Sequence, residues 1–153
     1  MADRPVRKDA LRNRERILDV ARAAFAGGFA TPSFDAIARD AGVGVGTVYR
    51  HFPTRESLIE AAYEAELDDL TGDVADLLSR LPPGDALREW MRRYARFYTT
   101  KSVIIETLRA GWSSGSMTTP ATRERITAAV ATIGAITHGV VPDWRAAAAI
   151  ASS

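Results

Sequence analysis

Thr47, Tyr49, Arg50 and His51 crowd four hydrogen-bonding side chains into five consecutive positions. These types suit a nucleic-acid surface. Arginine can bond guanine through two parallel donors, while hydroxyl and imidazole groups hold phosphate oxygens. Just before them, Val45 offers apolar contact to a base edge. Gly46 has no side chain and lets the backbone come close to a base or a phosphate. In this reading Val45 and Arg50 meet base edges. Thr47, Tyr49 and His51 hold phosphates, joined by Ser33 and Arg55 at neighbouring helix starts. The competing reading is an ordinary solvated face of a small helical unit.

The surrounding residues predict a frame that would present this face. Ser33 is a good N-cap, because its hydroxyl can accept from amides of the first helical turn. Asp35 follows where the helix dipole favours negative charge. Phe34, Ile37, Ala38 and Ala41 make one apolar stripe at helical spacing. Gly42 stands where helices end on a left-handed residue, and Val43 plugs the turn. Val48 and Phe52 lie one turn apart on a second helix and close the same core. Pro53 ends that helix, and Thr54 caps the next with Glu56 in its first turn. Helix, glycine turn and second helix give the layout of a helix-turn-helix that enters the major groove of double-stranded DNA.

The run Phe34 to Gly42, the motif Gly46-Thr47-Val48-Tyr49-Arg50-His51-Phe52 and the pair Arg55-Glu56 resemble the TetR family of transcriptional regulators. The resemblance is strong over about residues 12–65. Over 66–130 it is one of style only. It implies an all-α homodimer with an N-terminal DNA-binding domain and a C-terminal domain for ligand sensing and dimerisation. It also implies a repressor on a palindromic operator, with two reading helices in successive major grooves roughly 34 Å apart. The expected architecture is a three-helix helix-turn-helix domain, joined by a long helix to a C-terminal helical domain. The expected domains are residues 1–56 and residues 57–153. The final segment from Pro142-Asp143-Trp144 to Ser153 gives barely two turns, where the family closes with two long helices. The expectation is a short C-terminal domain, with a ligand-independent DNA-binding protein as the alternative.

Composition narrows the class. The 153 residues carry a net charge of only +1, so the whole chain is no polybasic binder. Residues 1–56 hold ten Lys and Arg against seven Asp and Glu, and the remainder is acidic by two. The positive excess coincides with the proposed reader. The first 16 residues are rich in arginine and read either as a solvated tail or as an arm toward DNA. There is no cysteine, which excludes disulfides and thiol catalysis. His51 and His138 are far apart, so no metal or cofactor site is expected, and His51 is assigned to structure or phosphate. No Ser/His/Asp set, paired-carboxylate motif or phosphate loop stands out, so no enzyme is expected. Glu64, Glu66, Asp68 and Asp69 read as a solvated face. No apolar run approaches the ~20 residues of a membrane span, and the N-terminus has no apolar signal region. The expected location is cytoplasmic.

Beyond the reader the sequence predicts further helices. The first helix should run from about Arg7 to Ala26, stopped by Gly27 and Gly28, with Phe29 packing after the turn. The fourth should start at Thr54 and continue toward Leu81, with Gly72 as its weak point. A fifth should run from Asp85 as N-cap to about Thr100, and a sixth from about Ser102 to Trp112. Gly111 to Thr118 reads as a loop, and Thr119-Pro120 as the opening of a seventh helix to about Thr137. Aromatics concentrate on the fifth and sixth helices. Trp90, Tyr94, Phe97, Tyr98, Leu108, Trp112 and Met117 are the expected walls of a pocket for a small apolar or amphipathic effector. Plain core packing is the competing reading for the same stripe.

Overall fold

The structure is a computed structural model that describes residues 3–27, 32–117 and 121–136. All regular structure among them is helical. In chain order the helices are α1 Asp3–Ala26, α2 Phe34–Ala41, α3 Val45–His51, α4 Arg55–Gly72, α5 Val74–Arg80, α6 Pro83–Ser114 and α7 Thr122–Ile136. Gly28, Phe29, Thr119, Pro120, Thr137, His138 and the segment from Pro142 onward lie outside the described residues.

The chain folds into two compact units. The first holds residues 1–64 and 99–118, the second residues 65–98 and 119–153. A boundary at residue 56 therefore falls inside the first unit, within the first turn of α4. Each of the long helices α4 and α6 contributes one stretch to each unit.

In the first unit α1, α2 and α3 pack on one another. Ile17, Leu18, Ala21 and Phe25 are the buried face of α1. Phe34, Ile37, Ala38 and Ala41 of α2 and Val48 and Phe52 around α3 are buried too. Leu58, Ile59, Ala62 and Tyr63 of α4 extend this core. The tail of α6 adds Ile104 and Leu108. Trp112 meets the Tyr63 ring edge-on, centroids 5.8 Å apart. Helix α1 begins four residues earlier than its apolar stripe predicts, so the backbone of the arginine-rich arm is helical from Asp3.

The second unit is held by buried Leu67, Leu70, Val74, Leu77, Ala86, Trp90, Phe97, Ile126, Ala129 and Ile133. The indole of Trp90 donates to the Leu70 carbonyl at 3.0 Å. That bond satisfies both a buried donor and a carbonyl near the end of α4. Arg125 of α7 donates to Asp68 Oδ1 at 2.6 Å and to Thr71 Oγ1 at 2.7 Å. Arg93 of α6 pairs with Asp73, which lies in the joint between α4 and α5.

Three expectations are corrected. The helix opening at Thr54 stops at Gly72 and does not continue to Leu81; α5 follows after Asp73. Glycine is a poor helix former, and Asp73 sits at φ −79°, ψ −4° with its carboxylate drawn to Arg93. The fifth and sixth helices are one helix, α6. No glycine or proline interrupts residues 85–110, and two threonines carry only a small helix penalty. The buried series Trp90, Phe97, Ile104, Leu108 passes straight through Thr99 and Thr100. The start of α6 also shifts. Asp85 and Ala86 amides both donate to the Pro82 carbonyl at 2.9 Å, and Pro83 takes the first helical position that its missing N–H suits. Asp85 is therefore inside the first turn, paired with Arg88, and is not the cap. Gly115, at φ +73°, ends α6. The Met117 amide reaches back to the Gly111 carbonyl at 3.1 Å, closing the last turn.

Candidate nucleic-acid interface

Helix α2 forms where the sequence places it. Ser33 Oγ accepts from the Ala36 amide at 3.2 Å with extended Ser33 backbone, as an N-cap requires. At the other end Gly42 stands at φ +67°, and its amide and that of Val43 close on the Arg39 and Ala38 carbonyls at 3.2 and 2.9 Å. This left-handed residue turns the chain so that α3 starts three residues later.

The reading helix is short and one-sided. Val48 is its buried residue. Val45 is 38% exposed and Tyr49 55% exposed, and Gly46 and Arg50 are exposed as well. Thr47 and His51 are half-buried. A Cβ built on Gly46 would meet nothing within 4 Å. Nothing within this unit therefore requires glycine there.

Tyr49 is braced as well as exposed. Its ring meets Phe34 edge-on, centroids 4.8 Å apart at 65°, an arrangement that aromatic quadrupoles favour. The contact ties α3 to the start of α2 and leaves the phenol outward. Behind α3, Arg14 of α1 places its guanidinium 5.1 Å from the Phe52 ring centroid. His51 lies beside the same ring, at 6.4 Å.

Thr54 caps α4. Its Oγ1 accepts from the Ser57 amide at 3.1 Å, and Ser57 Oγ accepts from the Thr54 amide at 3.2 Å. The two residues thus satisfy each other's amides, as in a capping box. Arg55 donates to the Pro32 carbonyl at 3.3 Å. That bond brings the starts of α2 and α4 together across 23 residues of sequence.

Between these two helix starts lies an open recess of about 270 Å³. Ser33, Tyr49, Thr54 and Arg55 line it, together with Phe34, Asp35 and Pro53. Two helix N-termini, a guanidinium and three hydroxyls are suited to a phosphate. The structure thus gathers Ser33, Tyr49 and Arg55 at one place and leaves Val45, Gly46 and Arg50 on the open face of α3. Thr54 escaped the sequence-based set of contact residues, and Arg14 was read only as part of the basic arm, not as a brace behind α3. Thr54 had a signal, since a threonine N-cap beside an arginine marks a helix start open to anions. The contact of Arg14 with Phe52 had none, because the two lie 38 positions apart in the sequence.

The residues expected to wall an effector pocket divide between the units. Trp90, Tyr94, Phe97 and Tyr98 lie in the second, and Leu108, Trp112 and Met117 in the first. Trp90 and Tyr94 stack at 5.5 Å and 17°. Burial, and secondarily Tyr98, pushes the Tyr94 phenol above its ordinary pKa. Tyr98 is 55% exposed, and Met117 packs against Gly111, where a Cβ would lie 2.4 Å from its sulfur.

Residues 17–62 match the sequence model of bacterial regulatory proteins of the tetR family. A TetR transcriptional regulator of Streptomyces coelicolor has a similar structure. Its TM-score is 0.71 at 40% sequence identity, over 81% of this chain and 71% of that one. The chain belongs to the TetR family of transcriptional regulators. A TetR transcription regulatory protein of Mycobacterium vanbaalenii gives the same TM-score of 0.71 at 34% identity, over 86% of this chain and 79% of that one. An HTH-type transcriptional regulator of Staphylococcus aureus (strain USA300) is 39% identical over 64 residues. That match spans 41% of this chain and 35% of the length of the relative. The sequence-model match thus falls on α1 to α4, where the geometry of the reader is built. No helix among the described residues is long and apolar enough to cross a membrane.

Proposed function

We propose that this TetR-family regulator binds a palindromic DNA operator as a homodimer in the cytoplasm, with α3 of each copy in a major groove. The observation that carries the reading is the one-sided α3. Val45, Gly46, Tyr49 and Arg50 are exposed while Val48 is fully buried behind them. Arg50 and Val45 read base edges. Thr47, Tyr49 and His51 hold phosphates, with Ser33 and Arg55 at the recess between the starts of α2 and α4. Selection of bound DNA from a random pool tests this. A two-fold symmetric consensus is expected, and recovery of no consensus rejects sequence-specific reading.

The proposed mode of action is repression, relieved by a small apolar or amphipathic ligand. The aromatic cluster on α6, with Trp90 stacked on a half-buried Tyr94, supports this. An effector acts only through different affinities for DNA-bound and released conformations. The alternative is ligand-independent DNA binding. It is favoured by the engagement of the same rings within the protein: Trp90 with the Leu70 carbonyl and Trp112 with Tyr63. Fluorescence anisotropy of labelled operator, titrated with hydrophobic small molecules, separates the two. Release by at least one compound class supports the effector, and uniform retention supports the alternative.

A further inference from the structure

Helices α5 and α6 enclose an open recess of about 460 Å³, entirely within the second unit. None of the aromatic rings of α6 lines it. Its floor is Leu77, 1% exposed, with half-buried Leu81 beside it. Its walls carry the guanidinium groups of Arg80, Arg88, Arg92 and Arg93 and the carboxylates of Asp85 and Glu89.

The carboxylates already sit on these cations. Arg88 donates to Asp85, Arg92 to Glu89 at 3.2 Å, and Arg93 to the other Glu89 oxygen at 3.2 Å. Arg93 and Arg92 hold the Glu89 carboxyl below its ordinary pKa. Arg93 also pairs with Asp73, and its side chain is only 24% exposed. It is therefore committed to the fold. Arg88 and Arg92 are not. They lie one turn apart on α6 and are largely exposed. Each gives a single N–H to its carboxylate, out of the five a guanidinium carries.

We propose that this recess binds an amphipathic organic carboxylate. Its head group lies on Arg88 and Arg92, and its hydrocarbon part lies against Leu77 and Leu81. The chemistry is the one the recess already performs on its own side chains: a carboxylate on a guanidinium fork beside an apolar floor. The solvent-exposed Arg88–Asp85 pair holds weakly, and Arg92 touches one oxygen of a Glu89 that Arg93 keeps in place, so a ligand carboxylate displaces either contact at little loss. Two adjacent forks add the bidentate geometry that a single surface pair lacks. Removing the ligand's own hydrocarbon from water against half-buried Leu81 adds a hydrophobic contribution that Asp85 and Glu89 cannot supply. This site goes beyond the DNA-binding reading and does not depend on it.

The test is isothermal titration of the full chain with octanoate, without DNA, alongside octanol and acetate. Saturable octanoate binding is expected, with octanol and acetate weaker by about tenfold or more because each lacks one half of the recognition. The double variant Arg88→Gln/Arg92→Gln should weaken octanoate by about tenfold or more, while Arg109→Gln on the same helix leaves it unchanged. Circular dichroism verifies folding, and Arg92→Gln alone carries the test if the double variant unfolds. Absence of saturable binding, equal binding of octanol, or unchanged binding in the Arg92 variants overturns the proposal. Binding that survives those variants but is lost in Tyr94→Ala moves the ligand to the aromatic cluster; that overturns this site and leaves the effector reading standing. Operator binding is measured separately, so a failure of the DNA-reading proposal shows independently.

Discussion

Arg50 and Arg55 are both exposed arginines near α3, yet in the proposed complex they do different work. Arg50 stands on the open face, where a guanidinium can meet guanine. Arg50→Ala should relax preference at particular operator positions by ~1–3 kcal/mol, leaving other positions as before. Arg55 sits at a helix start beside Pro32 and Ser33. Arg55→Ala should weaken all sequences alike and reduce the salt slope of binding by about 1. Tyr49→Phe keeps the ring on Phe34 and removes only the phenol, so it too should weaken binding without changing preference. Anisotropy on a panel of single-base operator variants at several salt concentrations distinguishes these outcomes. Unchanged affinity and preference in Arg50→Ala removes α3 as the reader. At this scale the sequence was informative where partners are close in the chain. Ser33, Gly42 and Thr54 act through neighbours three or four residues away, so their roles follow from local spacing. Arg14 on Phe52 and Arg55 on Pro32 bridge distant segments, which spacing does not report.

Among the elements, α2 depends most on its ends, since eight residues make only two turns. Ser33→Ala should cost about 1 kcal/mol through the lost N-cap. Gly42→Ala forces a Cβ into a φ of +67° and should cost upward of about 1 kcal/mol, although the space around it is open. Urea unfolding followed by circular dichroism measures both. Equal stability of Gly42→Ala and the parent chain would falsify the left-handed cap. The long helices were less legible for a physical reason. Breaks at Thr99-Thr100 and continuity through Gly72 both turn on penalties of about 1 kcal/mol or less per residue, which tertiary packing overrides. The continuous buried stripe won in α6, and the Asp73–Arg93 pair accompanies the break after α4. Lys101 gives α6 a pH signature. Burial, and secondarily Arg109, pulls its pKa down, and no acidic partner offsets this among the described residues. Folding must then hold the ammonium where its charged form is less favoured than in water. That penalty is present at neutral pH and fades as pH rises from the lowered folded value to the unfolded value of about 10.4. Lys101→Met should therefore raise the melting temperature at pH 7, and the advantage should shrink as pH rises toward about 10.4. A variant less stable at pH 7 rejects this account.

The whole molecule was the scale least visible in the sequence, because α4 and α6 each serve both compact units and only folding reveals which residues share one. Trp90 and Trp112 lie on one helix, yet one bonds Leu70 and the other packs on Tyr63, in different units. The proposed homodimer makes its own demand at this scale. Two identical α3 helices related by a two-fold axis can engage two half-sites only when both face the same side of the duplex. Centre-to-centre spacing of about 10 base pairs or its multiples satisfies that. Inserting about five base pairs between the half-sites of a selected operator turns one half-site to the opposite side of the duplex. Affinity should then fall to that of a single half-site. A monomer reading one half-site would be indifferent to the insertion. Anisotropy on operators with zero, five and ten inserted base pairs, paired with sedimentation of the free protein, decides between them. Equal affinity for the uninterrupted and five-pair operators removes the dimer while leaving the α3 contacts intact. Loss with the five-pair insertion and a dimeric sedimentation coefficient place both readers on one face of the DNA.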